Sequence, residues 1–204
     1  MKKFLKIYLT PIIFTIFSLV VTIIYIIKGL DFEHIFSIFG LALASWVLII
    51  LRLFKLKIPF VIATGYYLYI FLAIGLGAGF RFYDKWYYFD TMLHIIMGLL
   101  LPIVGHYVIL LSKNNMNKLG FVIFIFSFSM MIAPIWETIE FLLDNLFGMN
   151  TQHNIDLIGD GRSGVFDTMK DIICHLVGTI FTTIIYATFY KKIKYKLDEL
   201  LSNE

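Results

Sequence analysis

The segment FDTMKDIICHLVGTI, residues 166–180, carries two aspartates and a histidine at intervals of four residues within an otherwise apolar stretch. Residues that are four apart share one face of a helix, so Asp167, Asp171 and His175 are expected to form one polar stripe. Carboxylate and imidazole groups are ligands that suit Zn, Mn and Fe ions. The spacing therefore indicates a chemically active site on a hydrophobic helix.

Two further stripes have the same character. Asp90 and His94 are four residues apart, and Glu137, Glu140 and Asp144 follow at intervals of three and four. Carboxylates and imidazoles that project inward from facing helices bind divalent metals in helical bundles. Although the chain has no HExxH motif, we predict a divalent metal ion of open identity, with these candidate ligands: Asp90, His94, Glu140, Asp167, Asp171 and His175.

Single residues of these stripes also have simpler interpretations. Asp90 and Asp167 each precede a threonine near an expected helix start, where an aspartate can cap free backbone N–H groups. His94 is compatible with a hydrogen-bonded interior histidine, and Asp144 with a contact to lipid headgroups. An acidic side chain deep in a membrane costs up to about 2.5–3.5 kcal/mol on insertion scales, so three acids require a stabilising partner: Glu137, Glu140 and Asp171. Candidate partners are a metal ion, a proton, the histidines, or the cations Arg162 and Lys170.

The whole chain predicts a membrane protein. Of its 204 residues, 60% are hydrophobic and 15% are charged, whereas soluble domains carry about 25% charged residues. A hydrocarbon core needs about 20 helical residues to cross, and six apolar stretches are long enough: 8–28, 35–53, 58–79, 91–111, 119–147 and 167–190. We predict an all-α polytopic bundle in one integral membrane domain, residues 1–204. Its first span follows MKKFLK without a signal-peptide cleavage site, and we expect it to be retained.

The distribution of basic residues predicts the orientation. Twelve Lys and Arg residues lie in the segments on the amino-terminal side of the spans, and five lie on the opposite side. Because cytoplasmic loops are enriched in Lys and Arg, both termini are expected to be cytoplasmic, and all three stripes then lie in the outer half of the bilayer. The expected partner is membrane lipid. The chain shows no nucleic-acid motif and nothing that identifies a protein partner.

Two features outside the stripes have simpler interpretations. The segment GLGAGF at 75–80 either allows close helix approach through its small residues or is a frayed helix end. His106 lies near the inner end of the fourth span, away from the face of Asp90 and His94, and is expected to be structural. Cys174 is the sole cysteine, so no disulfide can form within the chain.

The three stripes carry a family resemblance. The segments FDTMLHIIMG at 89–98, WETIEF at 136–141 and FDTMKDIICHLVGTI at 166–180 resemble the YjdF-type bacterial inner-membrane proteins, clearly over residues 80 to 185. The chain is more distantly similar to VanZ-like proteins, but His175 stands where their pattern has asparagine. The resemblance implies a multi-pass protein of the bacterial plasma membrane and the importance of these motifs. YjdF-type proteins have no established activity, and VanZ-like proteins are associated with tolerance to glycopeptide antibiotics.

Three classes of function remain open, and with them the question of whether the protein is an enzyme. The first is an outward-facing, metal-assisted hydrolase or transferase acting on a lipid or lipid-linked headgroup, with Glu137 or Glu140 as general base. The second is a proton- or cation-coupled transporter that uses the carboxylates as a relay. We rank it lower because His106 is the only ionisable group in the inner halves of the last three spans. The third is a non-catalytic membrane partner whose polar cluster holds helices together.

Overall fold

The structure is a computed structural model that describes residues 2–30, 32–113, 115–152 and 163–202. These residues are helical or lie in short connections, and none of them lies in a strand. The helices are α1 Lys2–Ile27, α2 Phe32–Ser45, α3 Val47–Leu53, α4 Phe60–Ile70, α5 Phe82–Lys85, α6 Phe89–Ser112, α7 Lys118–Phe147, α8 Gly164–Thr188 and α9 Tyr190–Ser202. A π-helical segment, Phe71–Gly79, continues α4. The predicted all-α fold is confirmed.

Six helical segments are long and apolar enough to cross a membrane: Tyr8–Ile27, His34–Leu53, Phe60–Gly79, Phe89–Ser112, Lys118–Phe147 and Gly164–Thr188. They match the six predicted spans, with ends that differ by three residues or fewer. The second segment comprises α2 and α3, and the third comprises α4 and its π-helical continuation. The side of the membrane on which the termini lie stays a prediction.

The chain forms two compact units, one ending at Phe89 and the other comprising Asp90–Ser202. In the first unit, the small residues of GLGAGF allow close contacts with α2. A Cβ atom on Gly79 would lie 2.9 Å from Cγ1 of Ile38, and one on Gly75 would lie 3.3 Å from a methyl carbon of Leu41. Both glycines are buried within the π-helical segment. Of the two interpretations of GLGAGF, close helix approach is confirmed.

In the second unit, α6 and α8 meet backbone to backbone at a pair of glycines. A Cβ atom on Gly98 would overlap the carbonyl oxygen of His175, and one on Gly178 would overlap that of Ile95. Thr182 on α8 also donates a hydrogen bond of 3.1 Å to the carbonyl oxygen of Leu99 on α6. The glycine crossing therefore brings the polar stripes of these two helices close together.

The last helix, α9, uses its apolar face to pack on the second unit. Its residues Tyr190, Ile193 and Leu197 contact a buried cluster formed by Ile109, Phe121, Ile125 and Tyr186. Its lysines occupy the positions between these apolar residues. This amphipathic pattern explains why a segment with so many charges continues the helical fold after the sixth span.

Candidate functional site

The centre of the site is a triad formed by Asp90 and His94 on α6 and Asp171 on α8. The Nε2 atom of His94 lies 3.4 Å from Oδ1 of Asp90 and 3.9 Å from Oδ2 of Asp171. Each of the three residues offers one ligand atom within 4.8 Å of the other two. His94 and Asp171 are buried, and Asp90 is partly exposed. Two predicted stripes therefore meet at the triad.

The capping interpretation is wrong for Asp167. Helix α8 begins after Ser163, whose hydroxyl oxygen accepts a hydrogen bond of 3.3 Å from the backbone N–H of Phe166. Asp167 lies within the first turn, and Asp90 is the second residue of α6. The carboxylates of Asp90 and Asp167 both pair with Lys170, which also pairs with Asp171 of the triad.

Lys170 supplies positive charge to the acidic cluster, which is formed by Asp90, Asp167 and Asp171. Its Nζ atom lies 3.6 Å from Oδ2 of Asp90, 3.5 Å from Oδ1 of Asp167 and 3.5 Å from Oδ1 of Asp171. Lys170 was one of the two cations that the sequence offered as a stabilising partner. The other, Arg162, lies outside the described residues. One ammonium group shared by three aspartates leaves a net negative charge among these four side chains.

Glu137 brings a further carboxylate from α7. Its side chain is 5% exposed, and no described residue makes a hydrogen bond of ordinary geometry to its oxygens, although the hydroxyl of Thr168 on α8 lies close enough to interact with them. His94, Asp90 and Asp167 are close enough to interact with it electrostatically. Leaving a buried charged group without a partner costs several kcal/mol. Glu137 therefore needs a proton or a cation on the side that faces the triad residues.

Glu140 lies one turn further along α7. Its Oε1 atom accepts a hydrogen bond of 2.7 Å from Nε1 of Trp136. It lies close enough to Glu137, Asp90 and Asp171 to interact with them electrostatically, but it is not one of the three triad residues whose ligand atoms lie within 4.8 Å of one another. The stripe of α7 therefore faces the stripes of α6 and α8, and its two glutamates have different surroundings.

Asp144 has a structural role at the end of α7. Its Oδ1 atom accepts hydrogen bonds of 2.6 Å from both the backbone N–H and the hydroxyl of Thr151, and its Oδ2 atom accepts one of 3.0 Å from the N–H of Gln152. Gln152 is buried and donates a bond of 2.9 Å to the hydroxyl of Thr168. Asp144 thus ties the chain after α7 back to α7, and Gln152 ties it to α8. Gln152 was missed because it lies in a loop, where no periodicity marks it.

His175 lies one turn deeper on α8, outside the triad, and is fully buried. Its Nε2 atom is 3.0 Å from the carbonyl oxygen of Ser129 on α7. Since a carbonyl only accepts hydrogen bonds, Nε2 carries the proton, and in the neutral ring Nδ1 is an acceptor. No described residue bonds to Nδ1. Ser129 was missed as a neighbour, although it lies eight residues before Glu137 and therefore on the same side of α7.

His106 lies far from the triad, as expected, but it also contacts polar groups. Its Nδ1 atom is 3.2 Å from the hydroxyl of Tyr186, and its Nε2 atom is 2.7 Å from Oδ1 of Asp198 on α9. The histidine is fully buried. His106 is therefore a buried structural residue that also links the interior of the unit to Asp198 on α9.

The charge imbalance of the cluster leads to a first testable prediction. Lys170→Met removes the ammonium group that three aspartates share, and we expect it to lower the melting temperature of the metal-free protein by several degrees, since breaking buried pairs costs about 3–5 kcal/mol. A divalent cation can replace the lost charge, so added Mn²⁺ should raise the melting temperature of the variant more than that of the original protein. Tryptophan fluorescence in detergent would follow unfolding.

The matched control for this experiment is Lys192→Met, which removes an exposed lysine of α9. It should change neither the melting temperature nor the response to Mn²⁺. A Lys170→Met protein as stable as the original in the absence of metal would contradict the assignment of Lys170 as the counter-ion of the aspartates.

The comparison with protein families places the triad, Lys170, Glu137, Glu140, His106 and His175 in one matched region, which ends before Asp198. A family model described as "Predicted membrane protein (DUF2238)" matches residues 10–192. No curated protein and no solved structure matches the chain.

Proposed function

We propose that this chain, which belongs to the DUF2238 family of predicted membrane proteins, is a metal-assisted hydrolase or transferase acting on a phosphorylated lipid or lipid-linked headgroup. We equate the YjdF-type resemblance with this family, whereas the comparisons give no support for the VanZ-like one. We further propose a bacterial plasma membrane location, with both termini cytoplasmic and the site open to the outside.

The triad geometry is the observation that supports a metal site. Two ligands of a tetrahedral zinc ion, each about 2.1 Å from the metal, are about 3.4 Å apart. The Nε2 atom of His94 lies 3.4 Å from Asp90 and 3.9 Å from Asp171, and all three ligand atoms lie within 4.8 Å of one another, so the three side chains would draw closer together to coordinate one ion. A donor set of two carboxylates and an imidazole suits Zn, Mn or Fe.

The carboxylates of α7 supply the acid–base chemistry of the proposal. A divalent ion at the triad would polarise a phosphoryl oxygen and acidify a bound water. In hydrolysis, a water oxygen forms a bond to phosphorus while the bond from phosphorus to the leaving oxygen breaks. Glu137 or Glu140 accepts the proton of the water and returns it to the leaving oxygen. Glu137 is the better placed of the two, since Glu140 is already bonded to Trp136 at 2.7 Å, whereas no hydrogen bond of ordinary geometry occupies the oxygens of Glu137.

The position of the site along the helices favours a headgroup as substrate. Asp90 is the second residue of α6, and Asp171 is the eighth of α8, which places the latter roughly 11 Å from the helix start. A hydrocarbon core about 30 Å thick has its centre about 15 Å from its edge, so Asp90 lies near the headgroups and Asp171 lies deeper in the same half of the bilayer. The ammonium group of Lys170, already paired with three aspartates, is suited to bind phosphate oxygens when a substrate enters.

The test uses purified full-length protein in lipid nanodiscs. We expect bound Zn or Mn by elemental analysis and release of headgroups from bacterial lipid extract by mass spectrometry. Glu137→Gln should retain the metal and lower the release rate by about 100-fold or more, the usual effect of losing a general base. Glu199→Gln, an exposed position on α9, is the control and should be fully active. A metal-free protein with the same headgroup profile for Glu137→Gln and the control would rule out the proposal.

A further inference from the structure

The polar stripe of α8 extends well beyond the triad. After Asp171 it continues through His175, Thr179, Thr183 and Tyr186, at intervals of four, four, four and three residues. His175 and Thr179 are 0% exposed, and Tyr186 is 2% exposed. From His175 to Tyr186 the helix rises roughly 16 Å. Hydroxyl groups can also carry protons along a polar path, and a count of ionisable groups in the sequence misses them.

The part of the stripe nearer to the triad, His175 and Thr179, is connected by hydrogen bonds to α7. The Nε2 atom of His175, whose proton is shared with the carbonyl oxygen of Ser129, lies 3.0 Å from the hydroxyl oxygen of the same serine, and that oxygen lies 2.7 Å from Oγ1 of Thr179. All three side chains are fully buried. An imidazole and two hydroxyls therefore form an unbroken chain of groups, each of which can both donate and accept a proton.

The part of the stripe farther from the triad is connected through Tyr186 to a surface residue of α9. Tyr186 lies 3.2 Å from His106, and His106 lies 2.7 Å from Asp198. The Asp198 side chain is 32% exposed and pairs with Lys194 at 2.6 Å. The buried chain thus ends in a carboxylate that has access to water.

The series of hydrogen-bonded groups is interrupted after Thr179 and ends at His175, and at both places a buried polar atom lacks a hydrogen-bond partner among the described residues. Between Thr179 and Tyr186 lies Thr183, whose Oγ1 atom is buried without a hydrogen bond among the described residues. At the other end, Nδ1 of His175 is buried and equally without a partner. Buried polar atoms of this kind are usually bonded to internal water. Water bonded to Thr183 would bridge the gap between Thr179 and Tyr186, and water bonded to Nδ1 of His175 would extend the relay toward the triad.

A purely structural role does not account for this arrangement. Hydrogen bonds between membrane helices average about 0.6 kcal/mol, whereas a buried polar group left without a partner costs about 1–3 kcal/mol. A bundle held together by packing would have apolar side chains at Thr183 and His175. The unpaired atoms are therefore better explained by a path that admits water.

We propose that His175, Ser129, Thr179, Thr183, Tyr186, His106 and Asp198 form a proton relay that conducts protons between the triad end of α8 and α9. A proton that arrives at Nδ1 of His175 releases the proton of Nε2 to Ser129, whose own proton moves on to Thr179. Each group gains one proton and loses one, so no group changes its charge after a full transfer. This activity goes beyond the proposed headgroup chemistry and needs no metal ion.

The relay is tested with purified protein in liposomes that contain a pH-sensitive dye, with a potassium gradient and valinomycin to drive protons inward. The original protein, without added divalent metal, should conduct protons above the rate of protein-free liposomes. Thr179→Val replaces the hydroxyl by a methyl group of similar size and should lower the flux to that background. Thr138→Val is the matched control, because that hydroxyl is exposed and bonds only to the carbonyl oxygen of Pro134, at 2.7 Å.

Two results would overturn the relay: an original protein that conducts no faster than protein-free liposomes, or a folded Thr179→Val protein with undiminished flux. If Thr179→Val does not fold, Tyr186→Phe replaces it, since the ring that packs against Phe121 is retained and only the hydroxyl is lost. Because the assay contains neither metal nor lipid substrate beyond the liposome, its outcome does not depend on the headgroup reaction.

Discussion

Asp171→Asn should weaken the binding of Mn²⁺ or Zn²⁺ by about 100-fold or more, since removing even the outer partners of metal ligands weakens binding by about 10–100-fold. The amide keeps the shape of the carboxyl group but removes the charge that faces His94 at 3.9 Å. Isothermal titration of the purified protein with each metal would measure the change.

The melting temperature of the same variant distinguishes a metal site from a cluster of ion pairs that binds no metal. Without metal, the described cluster has more carboxylates than cations, so Asp171→Asn should leave the melting temperature unchanged or raised. At one fixed metal concentration well above the dissociation constant of the original protein, stabilisation grows with the logarithm of the ratio of metal concentration to dissociation constant, so the variant should gain about 2.7 kcal/mol less than the original protein for a 100-fold loss of affinity. Glu199→Gln is again the control and should behave as the original. Equal metal affinities of the original and Asp171→Asn would exclude Asp171 as a ligand.

Gly98→Ala is expected to have the largest effect on stability. Its Cβ would overlap the carbonyl oxygen of His175 and lie 2.9 Å from the backbone nitrogen of Thr179. Neither atom belongs to a side chain that could rotate away, so α6 and α8 would have to separate. Overpacking costs typically about 1–3 kcal/mol, and we expect the upper end of this range or more. Thermal unfolding in detergent, followed by tryptophan fluorescence, would show a markedly lower melting temperature.

The control for this glycine is Gly40→Ala in α2. The nearest atom to its added Cβ is a methyl carbon of Ile74 at 3.9 Å, which is ordinary contact. Alanine also favours a helix over glycine by about 1 kcal/mol, so this variant should be as stable as the original protein or more so. Because the crossing at Gly98 sets the distance between His94 and Asp171, Gly98→Ala should also weaken metal binding. Unchanged stability of Gly98→Ala would show that α6 and α8 do not meet at this point.

The number and limits of the spans follow from the sequence alone. The hydrocarbon thickness sets the length of an apolar helix, and a membrane leaves the backbone no alternative to internal hydrogen bonding. The helical period likewise determines which residues share a face, so the stripes of Asp90 and His94, of Glu137 and Glu140, and of Asp171 and His175 could be predicted. These rules are local, and they hold whatever the neighbouring helices do.

Only the tertiary structure shows which members of the stripes meet. The distance between His94 and Asp171 depends on the angle and depth at which α6 crosses α8, and these depend on the backbone contact at Gly98 and Gly178. Side-chain rotation determines the rest, because it directs His175 to Ser129 and brings Lys170 to the aspartates. Contacts between helices far apart in the sequence leave no periodic signal, and therefore the triad and the buried hydroxyl chain became visible only in three dimensions.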